Sequence, residues 1–486
     1  MRKKRSEPVY RLDAERVGKE AACELGDVRL ERRMERIVGT MCKRPSASLP
    51  AMFPDESESE AVYRFLRNER LSLGRVLRGH VAHTVARAQS LRTVVVIHDT
   101  TEFSFATGRE RRHGLQRHSE ARQGFFGHVS LCVSADGARA PLGCLWMQPF
   151  VRLAHLDHEA ERQDWQRLMG RDFSESGRWL KGIRHSERLL GPKVSAIHIC
   201  DREGDSYPLL SKLVTDGIRF VVRLSHNRTL ACPNLGHLQD FVGNQPLLGE
   251  PRTVELSERL HAEKRPSGQK SHPNRPRRMA TLSIRRAEVT LRRPASRKDD
   301  ERCPQTLTLN ILDVREVNPP VGQAPVRWTL CTSESIDSAE DCWRIVDHYR
   351  TRWLVEEFFK ALKTGCAFES RQLDSHKTLL IALGLSIPVA WTLLLMRYLE
   401  REAPDSPADS VLPRDLLGFL RRVWPRGPAP DHPTVRQALL AIASLGGHFR
   451  HNGPPGWLVL HRGYQTLLTM FQGFLAASSE GGCDQS

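Results

Sequence analysis

Two short apolar runs constrain this chain more than any other feature. TVVVIHD fills residues 93–99 and KVSAIHICD fills residues 193–201. The apolar residues in each are nearly continuous rather than alternating, and each run ends on an aspartate. A strand with no polar face must be covered on both sides, which is the situation of an inner strand in an α/β sheet. Between the runs, HVSLCVSADG and APLGCLWMQPF read as two strands joined by a turn at Ala135–Asp136–Gly137. A helical region ending in ESGRWLKGIRHSERLL precedes the second run. The order strand, strand, strand, helix, strand gives an α/β class. It puts Asp99 and Asp201 at the ends of neighbouring strands, where open α/β sheets bind their ligands.

The second organising stretch is SAEDCWRIVDHYRTRWLVEEFFKALKT, residues 338–364. Its periodicity predicts one helix of about seven turns. Ser338 with Asp341 forms a capping box at its start, and Gly365 stands where a left-handed cap is easiest for glycine. Tyr349, Arg352, Glu356 and Lys363 fall within roughly a 60° arc of the helical wheel. Ile345, Leu354, Phe358 and Leu362 form an apolar stripe elsewhere. A carboxylate flanked by cations on a rigid element suits a metal ion beside a phosphodiester.

Composition narrows the partner. The 486 residues hold 73 Lys plus Arg against 57 Asp plus Glu, a net charge of +16. An excess of that size favours a polyanion, nucleic acid before membrane surface. Eleven scattered cysteines without CxxC or zinc-type spacing argue for a reducing compartment and against a disulfide framework. The N-terminal MRKKRSEPVYRLDAERV lacks the apolar core of a secretory signal. Residues 378–396 carry no charge and could just span a bilayer, but Gly384, Ser386, Pro388 and Thr392 favour a buried core helix over a membrane contact.

Five segments follow. Residues 1–70 are helical and basic, with Asp27 as an N-cap and Leu30, Met34, Ile37, Val38 and Met41 as an apolar stripe opposite Arg29, Arg32, Arg33 and Arg36. Residues 71–228 carry the two apolar runs. Residues 229–325 read as a β insertion with basic loops, residues 326–375 resume the α/β part with the charged helix, and residues 376–486 are helical. The last helix gathers Trp457, Leu460, Tyr464, Leu467, Leu468, Phe471 and Phe474 on one side, as core or as a subunit contact.

Asp99, Asp201 and Glu356 are therefore candidate ligands of Mg²⁺, since clustered carboxylates repel unless a cation neutralises them. Glu102, Glu203, Asp205 and Glu357 compete for the same role. The choice rests on a resemblance. DTTEFSF after a buried strand, then CDREGDSYPLL, then Y-x-x-R-x-x-x-E-x-x-x-x-x-x-K at Tyr349, Arg352, Glu356 and Lys363, resembles the DDE transposases of the insertion-sequence IS-four family. Further stretches along nearly the whole chain, among them LGDVRLERRM, ESGRW, RFVVRLSHNR, RWTLCTSES and SLGGHFR, are similar as well.

That resemblance implies an RNase H-like catalytic core interrupted by a β insertion, with a helical DNA-binding domain before it and a helical dimerisation domain after it. It implies two Mg²⁺ ions, replaceable by Mn²⁺, held by Asp99, Asp201 and Glu356. Tyr349, Arg352 and Lys363 would grip phosphates, with Lys360 and Arg223 as further DNA contacts. Trp328 would stack on a flipped base and Trp353 would line the same pocket. The implied activity is cut-and-paste transposition: hydrolysis at the element's ends, hairpin formation and opening, and joining of the 3′ ends to target DNA. The implied partners are double-stranded DNA and a second copy of the chain, in the bacterial cytoplasm at the nucleoid. A nuclease that cuts without joining, and an inactive DNA-binding regulator, are the rival readings.

Overall fold

A computed structural model describes every residue except 1–18, 109–110, 257–275, 277, 298–299, 301–302, 403, 450, 452–454 and 481–486. The extreme N-terminus and nearly all of the basic loop at 261–277 lie outside the described residues. The chain opens on helices α1 (Val28–Lys43), α2 (Leu49–Met52), α3 (Glu56–Leu66) and α4 (Leu73–Gln89). Asp27 caps α1 by accepting the Arg29 N–H at 2.9 Å. Met34, Ile37, Val38 and Met41 are buried as their spacing requires, while Arg29, Arg32 and Arg36 face out.

A single mixed sheet of ten strands forms the middle of the molecule. Its first part comprises β1 (Thr93–Ala106), β2 (Gln116–Ser119), β3 (Arg122–Ser134) and β4 (Pro141–Phe150). Helices α5 (Glu159–Met169) and α6 (Arg178–Leu190) lead to β5 (Ser195–Cys200), and α7 (Tyr207–Thr215) leads on to β6 (Arg219–Arg223). After α8 (Leu238–Gly243) come β7 (Arg252–Leu256), β8 (Arg278–Arg292), β9 (Thr306–Val317) and β10 (Arg327–Thr332). The strand order is β2-β3-β1-β5-β6-β10-β9-β8-β7, with β4 also on β3. Among the described strands, parallel pairing joins β1 to β5 and β5 to β6, and antiparallel pairings extend the sheet on both sides.

One expectation changes here. The first apolar run does not end its strand at Asp99. Parallel pairing with β5 stops at His98, but antiparallel pairing with β3 carries β1 on to Ala106. The strands β7 to β9, from the segment 229–325, continue the same sheet through the pairing of β9 with β10.

Residues 338–364 are not one uniform helix. They divide into α9 (Ala339–Arg350) and α10 (Trp353–Lys360), followed by a wide turn over Ala361–Gly365. The Ser338–Asp341 capping box forms as the sequence predicts. At Thr351–Val355 the hydrogen bonds tighten to i→i−3, and the Thr351 hydroxyl donates to the Asp347 carbonyl at 3.0 Å. Past α10 they widen, with the Cys366 N–H reaching the Ala361 carbonyl at 2.7 Å. Such local changes of pitch re-aim side chains and recur at functional sites. The left-handed residue that ends this stretch is Ala367 (φ 45°), not Gly365.

The remaining helices are α11 (His376–Glu402), α12 (Arg414–Arg422), α13 (Val435–Leu445) and α14 (Trp457–Glu480). Helix α11 is long and apolar enough to cross a membrane, yet it is mostly covered by protein. Every residue from Thr378 to Trp391 is buried, and the Trp391 indole donates to the Pro141 carbonyl at 2.9 Å. On α14, Leu467 and Leu468 are buried, while Phe471 and Phe474 meet Phe419 of α12 at ring separations of 5.2 Å. That apolar face packs within its own chain. Met470 and Leu475 are the large apolar residues of α14 left outward among the described ones.

Candidate active site

The sheet's register assembles the first half of the site. Because His98 and Cys200 form the last pair of the β1–β5 ladder, Asp99 and Asp201 each follow directly on it, Asp99 within β1 and Asp201 just past the end of β5. Side chains alternate along a strand, so both aspartates share a face with Val95, Ile97, Ile197 and Ile199. That face is covered by the core to which α9 and α10 contribute. Asp99 Oδ1 accepts the Thr100 N–H at 2.7 Å. Asp201 caps the short turn Arg202–Gly204, its Oδ1 accepting the Glu203 N–H at 2.8 Å.

The charged helix supplies the other half. Arg352 Nη1 donates to Asp99 Oδ2 at 2.7 Å and to Glu356 Oε1 at 3.4 Å. One guanidinium therefore joins residues 253 positions apart and links Glu356 to Asp99. Burial pushes the Asp99 carboxyl up to about 8, with Asp201 and Glu356 adding to the rise and Arg352 opposing it. Burial works against the Arg352 charge, but Asp99, Tyr349, Glu356 and Asp201 outweigh it, and the guanidinium is held more firmly protonated.

The charge balance bears on a metal. Among the described residues no three His, Cys, Asp or Glu side chains are gathered closely enough to hold an ion as they stand. The donors present are nevertheless carboxylate oxygens, the type a hard cation takes. Burial, with Asp201 and Glu356 adding to it, raises the Asp99 carboxyl in spite of Arg352, so its charged form is not fully compensated within the protein. Asp99, Asp201 and Glu356 thus fit a divalent cation in chemistry and charge, with Arg352 standing between two of them.

The structure also separates the competing acids. Asp205 is fully enclosed and bound by Arg228, by His226 and by the Ser225 N–H at 2.7 Å. Glu357 is buried against Arg397 at 2.8 Å and Lys360 at 3.4 Å. Both carboxylates are taken up by structural pairs. Glu102 lies beside His118 at 3.4 Å, three residues along β1 from Asp99 and so on its opposite face. Glu203 pairs with Arg178 at 2.7 Å.

The remaining residues are placed unevenly. Lys363 reaches Glu369 at 3.6 Å, and Glu369 in turn accepts the Ser104 N–H of β1. Tyr349 is 5% exposed, its ring edge-on to Trp328 at 5.6 Å, which leaves little of the phenol to meet a phosphate directly. Trp328 itself is half-buried beside the site helix. Arg223, paired across the sheet with Leu330, donates to the Arg327 carbonyl at 3.1 Å. Lys360 lies 5.2 Å over the Trp353 ring, so those two side chains occupy one another.

Sequence reasoning missed the layer behind the aspartates. Arg178, at the start of α6, donates to Thr100 Oγ1 at 3.0 Å and to Glu203 Oε2 at 2.7 Å. His98 and His198 share a hydrogen bond of 2.8 Å, flanked by Ser130 and Glu187. Alternation along DTTE does put Thr100 on the face opposite Asp99, but only the tertiary fold brings α6 beneath it.

With this geometry in place, comparison with known proteins adds a partial match. Residues 19–71 match the family described as Transposase DNA-binding. This transposase-type DNA-binding segment covers α1 to α3, whose outward arginines include Arg29, Arg32, Arg36 and Arg64. Among solved structures, one similar chain comes from a cryo-EM structure of a piggyBac transposase synaptic complex with hairpin DNA. It is 10% identical, covers 82% of this chain and 70% of its own, and has a TM-score of 0.34. At that score the likeness carries no argument about chemistry.

Proposed function

We propose that this chain is a DDE-type DNA transposase with an RNase H-like core built on β1, β5 and β6. The observation that carries the proposal is the junction at Arg352. Asp99 and Asp201 follow directly on the last pair of the β1–β5 ladder, and one guanidinium joins Asp99 to Glu356 on the facing helix. The transposase-type DNA-binding segment at 19–71 supplies the partner, DNA.

Asp99, Asp201 and Glu356 would hold two Mg²⁺ ions, with Mn²⁺ able to substitute. When bound, such ions supply the charge that makes a water or a 3′-hydroxyl nucleophilic and that stabilises the leaving oxygen. The protein's own groups position the DNA. Arg352 can grip a phosphate through two donors and Lys363 through a point charge. Trp328, half-buried against Tyr349, offers a ring on which an unstacked base could rest during hairpin formation, worth about 1–3 kcal/mol per base. The reaction sequence would be hydrolysis at the element's end, hairpin formation and opening, and attack of the freed 3′-hydroxyl on target DNA. A dimer on paired ends would carry it out at the bacterial nucleoid. With the apolar face of α14 packed internally, the dimer contact falls to other surfaces such as that around Met470 and Leu475.

The test uses the full chain with the inverted repeats that flank its gene. Mg²⁺-dependent nicking followed by hairpin and joined products supports the proposal. Nicking without either product would replace it with a nuclease, and end binding without nicking would replace it with a regulator.

A further inference from the structure

Each aspartate is held by a backbone N–H, and the two residues that donate share one side-chain partner, Arg178. Asp99 Oδ1 is fixed by the Thr100 N–H at 2.7 Å, and Asp201 Oδ1 by the Glu203 N–H at 2.8 Å. The side chains of these two donor residues meet on the same guanidinium. Arg178 Nε donates to Thr100 Oγ1 at 3.0 Å and Nη2 to Glu203 Oε2 at 2.7 Å, while Nη1 reaches the Glu175 carbonyl. The Thr100 hydroxyl also meets His128 Nδ1 at 2.9 Å, which fixes it on its second side.

The clamp is rigid. The Arg178 side chain is 7% exposed, and its guanidinium lies over the rings of Phe150 at 5.6 Å and Trp179 at 5.4 Å. Arg178 opens α6, which packs against β1, β3, β4 and β5. Beyond His98 and Cys200, where the β1–β5 ladder stops, backbone pairing no longer sets the spacing of the two strands. Arg178 spans that gap. A guanidinium suits the task because its planar fork offers separate donors in fixed directions, whereas an ammonium is a single point.

We infer that Arg178 is a positioning residue that sets the separation and orientation of Asp99 and Asp201 as a cation-binding pair. The inference rests on the proposed reading of those aspartates as metal-holding groups. Residues one shell behind metal ligands typically change affinity by about 10–100-fold when lost.

The test is Mn²⁺ titration of the full-length, DNA-free protein followed by electron paramagnetic resonance, with circular dichroism to check folding. Arg178→Gln and the isosteric Thr100→Val should each weaken Mn²⁺ binding by about 10-fold or more. The double variant should lose little beyond the worse single one, since both act through one clamp. Arg178→Lys, which keeps the charge but cannot span both acceptors, should fall between wild type and Arg178→Gln. Unchanged Mn²⁺ affinity in folded Arg178→Gln and Thr100→Val overturns the inference and leaves the transposase reading standing. If Arg178→Gln does not fold, Thr100→Val decides alone on the same criterion. A wild-type protein that neither binds Mn²⁺ nor nicks DNA overturns both.

Discussion

Replacing Asp99 by asparagine should stabilise the protein near pH 8 when divalent cations are removed. Burial, with Asp201 and Glu356, lifts the Asp99 carboxyl from an ordinary 3.8 to about 8. Between about pH 4 and pH 8 the folded protein therefore keeps a proton that the unfolded chain has released. Its contribution to stability is full below the unfolded value and is lost as pH rises through the folded one. A rise of about four units, at about 1.4 kcal/mol each, sets a ceiling of about 6 kcal/mol. Relaxation of the neighbouring carboxylates returns part of this, leaving an expected gain of about 2–4 kcal/mol for Asp99→Asn at pH 8. The assay is the thermal midpoint of variant and wild type in a chelator, compared from pH 5 to pH 8. Groups distant from Asp99 largely cancel in the difference. The gap should widen with pH, and excess Mg²⁺ should raise the wild type while leaving the variant nearly unmoved. A gap independent of pH, or a variant less stable than wild type at pH 8 without metal, would refute the electrostatic argument.

Three further outcomes are expected. Glu356→Ala should abolish nicking while leaving end binding in chelator within about threefold at fixed salt, because the DNA-binding segment lies far from it in the chain; affinity must be compared at one salt concentration. Parallel loss of binding and nicking in a gel-shift and cleavage series would contradict that separation. Trp328→Ala should spare first-strand nicking more than hairpin formation, and equal losses in a time course would remove the base-stacking role. A Cβ on Gly463 would overlap the Ile442 carbonyl oxygen where α13 and α14 cross. Gly463→Ala should therefore cost about 3 kcal/mol or more, read as a lowered melting midpoint, and an unchanged midpoint would mean that the two helices can separate freely.

Much of the site was legible in the sequence because strand and helix periodicities fix directions. Asp99 and Asp201 end apolar runs of the inner-strand type, and residues 349–363 put their polar groups on one arc. Tyr349 shows the limit of that logic. It belongs to the arc by spacing, yet the tightened turn at Thr351–Val355 and the Trp328 ring leave it buried. Glu357 and Asp205 show another. Their sequence neighbourhoods match those of Glu356 and Asp201, but Arg397 and Arg228, which consume them, come from distant segments.

By itself, then, the sequence determined what depends on local geometry: the α/β alternation, the capped start at Ser338 and the amphipathic N-terminal helices, while the choice of the three candidate acids came from the resemblance. Only the tertiary structure decided which groups meet. It extended the sheet through residues 252–332, buried α11 instead of exposing it, and put Arg352 between Asp99 and Glu356. It also brought Arg178 beneath both aspartates. The physical reason is that hydrogen bonds and ion pairs act over a few ångströms. A residue's partners are set by how the sheet and helices pack, which its neighbours in the sequence do not encode.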